Sequence, residues 1–404
     1  MLAPLVPSLL GRLDRDGVLA CSCGQRHVIA GEVLMEQGAL ARSAELLVER
    51  YGSRPVVWVL SDENTEAVAG ARWKSATFIS RVLPAAPKPV PEVALAEELR
   101  AEVERAAPDL LVAVGGGTIS DLVKKISLDL GLPNWCIATA PSVDAYSAAT
   151  SAMRVAGHHQ PGPARPPDVI VCDLDILVRA PRLMFLAGLG DLLAKFVAHL
   201  DWNLAHLVTG EHHCDVVDQL ALGSARMAVQ AARALESDPL AATAMLTDAI
   251  LASGFAMQAM GHSRPAASAE HTIAHYWTEV GAAQHEPHAL HGILVGAATA
   301  LILPGYRAFY GDLPDTLTVE RARIASLAGS LLAELSDAVE VLERIGFPFD
   351  LDQLAMPEPL RMEPVRRVRS LRARYTTFDL AHDLGREDQM VSAIAAAIRP
   401  ARRP

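Results

Sequence analysis

The sequence predicts an α/β amino-terminal half built on a parallel sheet, residues 1–180, followed by an all-α half, residues 181–404. Three observations carry this expectation. Apolar strand-like runs alternate with helical segments from Pro55 onward, a pattern that makes a parallel sheet covered on both faces. After Pro181, apolar residues recur at three- and four-residue spacing through nearly every segment, which is the helical period. The chain's 404 residues also exceed the size at which one core keeps growing, so two domains with a cleft between them are expected.

Taken in order, PVVWVLSD (55–62) reads as a buried strand, and Asn64 to Ser75 as a helix. Pro91 opens a helix running to about Ala107, because proline is tolerated in a first turn. DLLVAVGGG is a strand, Ser120 to Leu130 a helix, and WCIATAPS a further strand. DVIVCDLDIL (168–177) closes the sheet after a Gly/Pro/His loop, GHHQPGPARPP. The helical candidates are Leu183 to Val208, Val216 to Glu236, Pro239 to Met260, Ala267 to Val280, the stretch after His291, Val319 to Ile345 and Glu387 to Ile398.

Composition excludes several classes. Hydrophobic residues at 51% against 21% charged describe a globular chain rather than a disordered one. A net charge of -11 with no long basic run leaves no footprint for nucleic acid or an anionic membrane, although one local basic pocket for a small anion is compatible with it. The longest apolar run, Ile293 to Leu303, falls short of the roughly 20 residues that span a bilayer. Met1 to Leu13 lacks the features of a signal peptide, so no membrane insertion and a cytoplasmic location are expected. Five cysteines, an odd number in a long chain, suggest no disulfide framework. Cys21, Cys23 and His27 form a C-x-C-x3-H cluster of zinc-ligand type, but the sequence shows no second pair to complete four ligands.

Gly115, Gly116 and Gly117 lie between a strand and a helix, where missing side chains let a phosphate approach backbone amides at the positive end of the helix dipole. A plain tight turn is the bland alternative. Thr118, Asp121 and Lys124 follow on the first turns of that helix, and Thr139, Ser142 and Ser147 sit at or beyond the end of the next strand, so all are cofactor-binding candidates. Asp62 ends the first strand at the carboxyl edge, where a carboxylate binds ribose hydroxyls and repels a 2'-phosphate, favouring NAD(H). Helix capping by Asp62 is a compatible second reading. The glycines follow a later strand than in an ordinary Rossmann unit, which implies a different nucleotide fold.

Asp191 in AGLGDLLAK, His271 in SAEHTIAHYW and His291 in PHALHG supply one carboxylate and two imidazoles, a set that suits zinc or another divalent first-row ion acting as a Lewis acid on a carbonyl. Gly188 and Gly190 beside Asp191 allow close approach of a ligand or another backbone. His275, four residues after His271, competes as a ligand, as do His285 and His288. Lys195, four residues after Asp191, is either functional or a helical ion pair.

The residues then carry a likeness. DENT (62–65), GGGTISDLVK (115–124), ATAPSVDAYSAATSA (138–152), GLGDLLAKFVAHLDWNLAH (188–206), SRPAASAEHTIAHYW (263–277), HGILVG (291–296) and RARYTTFDLAHDLG resemble the dehydroquinate synthase and iron-containing alcohol dehydrogenase superfamily, and within it the bacterial-type glycerol-1-phosphate dehydrogenases. The resemblance implies that the glycine turn binds the NAD pyrophosphate and that Asp191, His271 and His291 hold the metal, zinc first, with nickel or iron as alternatives. It also implies that His275 stands behind them and that Asp144 contacts substrate hydroxyls. The implied reaction is reversible reduction of dihydroxyacetone phosphate to sn-glycerol 1-phosphate by NADH, in a homo-oligomer. Arg264, Lys195 and His275 are the candidates for holding the substrate phosphate, because they adjoin the metal motifs and carry or can carry positive charge. The alternatives are a dehydrogenase for a related small polyol or ketone, and a sugar phosphate cyclase that uses NAD transiently.

Overall fold

The computed structural model describes residues 3–73, 78–155, 158–283, 289–313 and 320–398. Ser75, His285, His288 and Val319 lie outside them. Six strands form one all-parallel sheet: β1 (Glu32–Glu36), β2 (Val57–Asp62), β3 (Phe78–Leu83), β4 (Leu110–Gly115), β5 (Asn134–Ala138) and β6 (Val169–Asp173). Their spatial order is β1-β6-β5-β4-β2-β3.

Side chains alternate across this sheet with the two-residue period of a strand. Val57, Val59, Val112, Val114, Trp135, Ile137, Val169 and Val171 share one core with helix α2 (Ala39–Tyr51), the second helix after the short α1 (Leu5–Leu10). Trp58, Leu60, Leu111 and Ala113 face the other way, onto α3 (Val93–Ala106) and α4 (Gly117–Leu130). Cys136, Ile170 and Cys172 also point to that second face, but into the core of the helical half, so the helices pack directly on the β5–β6 end of the sheet. The two edge strands, β1 and β3, are absent from the sequence expectation. Glu32, Glu36, Ile79 and Ser80 are exposed on them, so neither shows the continuous apolar run of a strand covered on both faces.

The helical half comprises α5 (Arg182–Leu193), α6 (Lys195–Thr209), α7 (Asp215–Ala234), α8 (Pro239–Met260), α9 (Ala269–Ala283), α10 (His291–Gly311), α11 (Arg321–Arg344), α12 (Glu358–Leu371), α13 (Thr377–Asp383) and α14 (Glu387–Ala397). The single helix expected over 183–208 is two, divided at Ala194, where Lys195 Nζ donates to the Asp191 carbonyl oxygen and enters the backbone ladder. Residues 182–209, 239–260 and 291–311 are each long and apolar enough to cross a membrane, yet 89%, 78% and 72% of their apolar windows are buried inside the protein. Core packing accounts for their apolarity. The amino-terminal stretch joins this body too: Val6, Leu9, Leu19 and Ile29 lie in its core, and Asp248 accepts from the Leu5 and Val6 amides.

Glycines set the distance between α5 and α10. A Cβ on Gly190 would stand 2.2 Å from the Gly292 carbonyl oxygen, and one on Gly292 would stand 1.9 Å from that of Ala187. The close approach anticipated beside Asp191 is therefore backbone on backbone. Gly292→Ala is expected to lower the urea midpoint and strip bound metal, because overpacking costs about 1–3 kcal/mol while the helix-propensity gain is at most about 1 kcal/mol. A midpoint and metal content equal to the parent's would show that this contact does not set the spacing.

Candidate active site and metal centre

The order of the sheet places a nucleotide crevice. The chain runs outward from β2 to β3 and then returns to the opposite side of β2 to form β4, so the topological switch lies between β2 and β4. Ligands of open parallel sheets collect outside the carboxyl ends of the strands at such a point. Asp62 ends β2 and Gly115 ends β4 there, on paired strands. Gly116 caps α4, and a Cβ on it would meet nothing within 4 Å, so its backbone is open to an approaching ligand. Gly115 and Gly117 are needed for packing instead, since Cβ atoms would press on Ile119 at 2.8 Å and Val143 at 3.0 Å. Thr118 lies half-buried in the first turn of α4, and Thr139 and Ser142 follow β5 beside it. Asp62 spends Oδ1 on the Thr65 amide at 2.9 Å, so the capping role is realised.

Three cofactor candidates are committed elsewhere. Asp121 and Lys124 are buried and paired at 2.9 Å; Lys124 Nζ donates to the Ala145 and Thr150 carbonyls at 2.7 Å, and Asp121 accepts from the Ala152 amide at 3.0 Å. They grip the loop that follows β5 rather than facing the crevice. Ser147 is fully buried and donates to Leu251 O at 2.8 Å in α8. Spacing puts all three near the glycine turn in sequence, but which way each points depends on that loop's return path.

Asp191, His271 and His291 converge, with one ligand-type atom from each within 4.8 Å of the others. Asp191, from α5, lies 3.4 Å through Oδ1 from His271 Nε2, and His291 opens α10 with its ring centroid 5.5 Å from that of His271. Glu270, wholly buried, accepts from His271 Nδ1 at 2.9 Å and so leaves Nε2 to face Asp191. Sequence spacing hid Glu270, since adjacent helical residues do not normally face one site. His275, by contrast, stacks between His159 at 4.0 Å and His291 at 5.2 Å, a ring behind the cluster.

Electrostatics fit a cation here. Burial raises the Asp191 carboxyl, but Lys195, His271 and His291 outweigh it and hold it well below the usual range. Burial pushes His291 down to about 4, so it is the neutral imidazole that a metal binds. Burial also drives His275 well down. Burial opposes the charge on Lys195, yet Asp144 and Asp191 overcome it and raise its pKa. Asp144, Asp191 and Glu270 thus bring three carboxyl groups into the interior against the ammonium of Lys195 and the ring of His271, whose pKa Asp191 and Glu270 raise against burial; a divalent ion would take the place of the proton on His271.

The phosphate candidates are corrected by their bonds. An ammonium has three donors, and Lys195 directs Nζ at Asp144 Oδ2 (2.8 Å), Asp191 Oδ1 (3.3 Å) and Asp191 O (2.9 Å), leaving none for a phosphate. Arg264 is neutralised by Glu211 at 2.9 Å and also bonds the carbonyls of Asp201 and Tyr375, while its buried Nη1 has no partner among the described residues. The half-buried Arg372 and Arg374 have no carboxylate partner among the described residues. Each donates to Ser263 Oγ, at 3.2 and 3.0 Å. Arg372 lies within electrostatic reach of His275, His159 and Glu270. Burial weighs against both guanidiniums, a deficit that an anion relieves. They open the family-like stretch RARYTTFDLAHDLG, but no spacing to the metal motifs marks them as anion ligands, because they follow helix α12, far along the chain from Asp191, His271 and His291.

Glu270→Gln is expected to weaken metal binding about 10–100-fold, the usual effect of losing the carboxylate behind a ligating histidine, with little change in fold. Competition against a chromophoric chelator measures it; parental affinity would remove Glu270 from the site.

Similarity to known proteins agrees with this geometry. Residues 34–181 match the iron-containing alcohol dehydrogenase family. The chain is 30% identical over 382 residues to the glycerol-1-phosphate dehydrogenase [NAD(P)+] of Halalkalibacterium halodurans, covering 88% of this chain and 94% of that one. The enzyme of the same name from Metallosphaera sedula is 28% identical, covering 85% and 90%. Among solved structures, a sulfoacetaldehyde reductase from Bifidobacterium kashiwanohense in complex with NAD+ matches with a TM-score of 0.67 at 16% identity, covering 92% and 98%. A probable glycerol dehydrogenase from Sinorhizobium meliloti matches at 0.66 and 19%, covering 92% and 99%. These two share the fold. The chain belongs to the glycerol-1-phosphate dehydrogenase family of the iron-containing alcohol dehydrogenases and is an NAD(P)-dependent dehydrogenase.

Proposed function

We propose that this chain reduces dihydroxyacetone phosphate to sn-glycerol 1-phosphate, reversibly, with NADH as the hydride donor and one divalent ion held by Asp191, His271 and His291. The observation that carries the reading is that this carboxylate and two imidazoles converge beside the Asp144–Lys195 pair. The donor set suits zinc first, with nickel and iron as alternatives. When bound, the ion supplies Lewis-acid polarisation of the substrate carbonyl, and the nicotinamide supplies the hydride. The name shared by the relatives from Halalkalibacterium halodurans and Metallosphaera sedula supports the substrate and its stereochemistry.

The chain's own groups have separable tasks. Lys195 keeps Asp144 and Asp191 in register, and Ser253 Oγ fixes Asp144 Oδ2 from a second side at 2.7 Å. Asp144 Oδ1 is then the oxygen that accepts from a substrate hydroxyl. His275 stays neutral and packs by ring stacking between His159 and His291, so it walls the site without adding charge to it. Arg372 and Arg374 bind the phosphate dianion. Asp62 at the end of β2 favours NADH over NADPH. The glycine turn takes the pyrophosphate on the open backbone of Gly116. Residues 1–180 form the nucleotide half and 181–404 the metal and substrate half, with residues 5–29 packed on the latter. The enzyme works as a cytoplasmic homo-oligomer.

The test is NADH oxidation with dihydroxyacetone phosphate, using metal-depleted protein and protein reloaded with zinc or nickel. Activity should appear only on reloading and vanish in Asp191→Ala; no oxidation under any loading would overturn the reading. Arg372→Gln should raise KM for dihydroxyacetone phosphate about 10–100-fold, the worth of one charged hydrogen bond, and leave turnover of unphosphorylated dihydroxyacetone unchanged. Equal effects on both substrates would place the arginine outside the phosphate site.

A further inference from the structure

We propose that Cys21, Cys23, His27 and Cys214 form a second metal site, a closed structural zinc centre separate from the Asp191 cluster. Three of the chain's five cysteines meet there, Cys214 joining from 193 residues beyond Cys21. One ligand-type atom from each of the four residues lies within 4.8 Å of the others. Cys214 supplies the fourth ligand that the C-x-C-x3-H cluster lacks in sequence.

The geometry is near that of a bound ion. Cys21 Sγ lies 3.2 Å from Cys214 Sγ, and Cys23 Sγ lies 3.1 Å from His27 Nε2. Ligand atoms on a tetrahedral zinc with bonds of about 2.3 Å stand about 3.7 Å apart, so these two pairs need to open by only about half an ångström, and no pair of the four exceeds 4.8 Å. The His27 tautomer is already the one required. Nδ1 lies 2.9 Å from the Ala259 carbonyl oxygen, which only accepts, so Nδ1 carries the proton and Nε2 turns a lone pair toward Cys23. His27 is wholly buried. The sulfurs have backbone support as well: the Cys23 amide donates to Cys21 Sγ at 3.3 Å, and Cys214 caps the amino terminus of α7, where burial pushes its metal-free thiol up to about 12. A Cys21–Cys214 disulfide would use two of the four groups and leave the orientation of His27 without a purpose.

Four protein ligands leave no open position, so the ion's task is mechanical. It clips the hairpin of Val18–Leu19 and His27–Val28 to the start of α7 and, through His27, to the end of α8. Helix α8 also carries Ser253, which fixes Asp144. The clip therefore braces one wall of the active site without touching it.

Asp191→Ala isolates this centre by emptying the other. Purified under reducing conditions, that protein should retain about one zinc per chain, against about two in zinc-loaded wild type. Cobalt replacement should give thiolate-to-cobalt charge-transfer absorption and the strong visible bands of a tetrahedral site. Adding Cys214→Ser should abolish both. If that variant fails to fold, thiol titration of the folded Asp191→Ala protein decides: Cys21, Cys23 and Cys214 should become reactive only after a strong chelator. No zinc and no cobalt absorption after reconstitution, or a Cys21–Cys214 disulfide in unreduced protein, would overturn the assignment.

Discussion

Everything in the metal centre depends on how closely α5 and α10 approach each other. Asp191 lies on one and His291 opens the other, and two short side chains can share an ion only if their backbones nearly touch. Gly190 and Gly292 remove the side chains that would hold the helices apart, and Gly296 leaves room for the Phe347 ring beside the same crossing. Interiors are close-packed and shift little, so this spacing cannot be recovered by bending elsewhere. Helix α8 joins the same core as the crossing pair, and burial there explains why residues 182–209, 239–260 and 291–311 are apolar enough to resemble membrane spans.

Within that frame, the charges hold one another in place. A buried lysine is costly unless it is paired, and Lys195 is paired twice and hydrogen-bonded to a carbonyl. It also divides α5 from α6, so the helix break and the orientation of Asp191 have one cause. Asp201 does comparable work on the other side. It gathers Ser268, Tyr306 and Thr377, and burial raises its carboxyl to about 6. It thereby ties α6, α10 and α13 to the turn that leads into Glu270 and His271. Asp191 is thus held by Lys195 of the next helix and by the Asp144 amide, and His271 by its neighbour Glu270.

What the sequence disclosed follows from what kind of information each feature needs. The central strands and the glycine turn are written in residue type and local spacing, whereas Asp191, His271 and His291 stand apart from His275, His285 and His288 only through the family resemblance, and the structure brings those three together. Edge strands β1 and β3 are half-exposed and so lack a strong pattern. The directions of Asp121, Lys124 and Ser147 depend on a loop whose path no periodicity encodes. Arg264 looked like an anion ligand because Glu211, its partner, lies 53 residues away, whereas Arg372 and Arg374 lie in the family-like RARYTTFDLAHDLG but have no spacing to the metal motifs that marks them as anion ligands. Cys214 is the same case for the cysteine cluster: its role exists only once the amino-terminal hairpin has folded back onto α7.

The loop of residues 139–152 links the two chemistries. At one end it leaves β5 beside the glycine turn, and Lys124 and Asp121 grip its backbone at Ala145, Thr150 and Ala152. In its middle the Asp144 amide donates to Asp191 Oδ2 at 3.2 Å, while Ser147 bonds into α8 and packs where only Gly254 leaves space. A cofactor on the glycine turn and an ion on Asp191 would therefore be positioned by the same fourteen residues. Hydride transfer needs donor and acceptor within about 3–3.5 Å, and errors of an ångström are expensive. A rigid loop fastened to both sites sets that distance with less freedom than two halves meeting across an open cleft. On this argument Asp121 and Lys124 matter to the reaction although they face neither ligand.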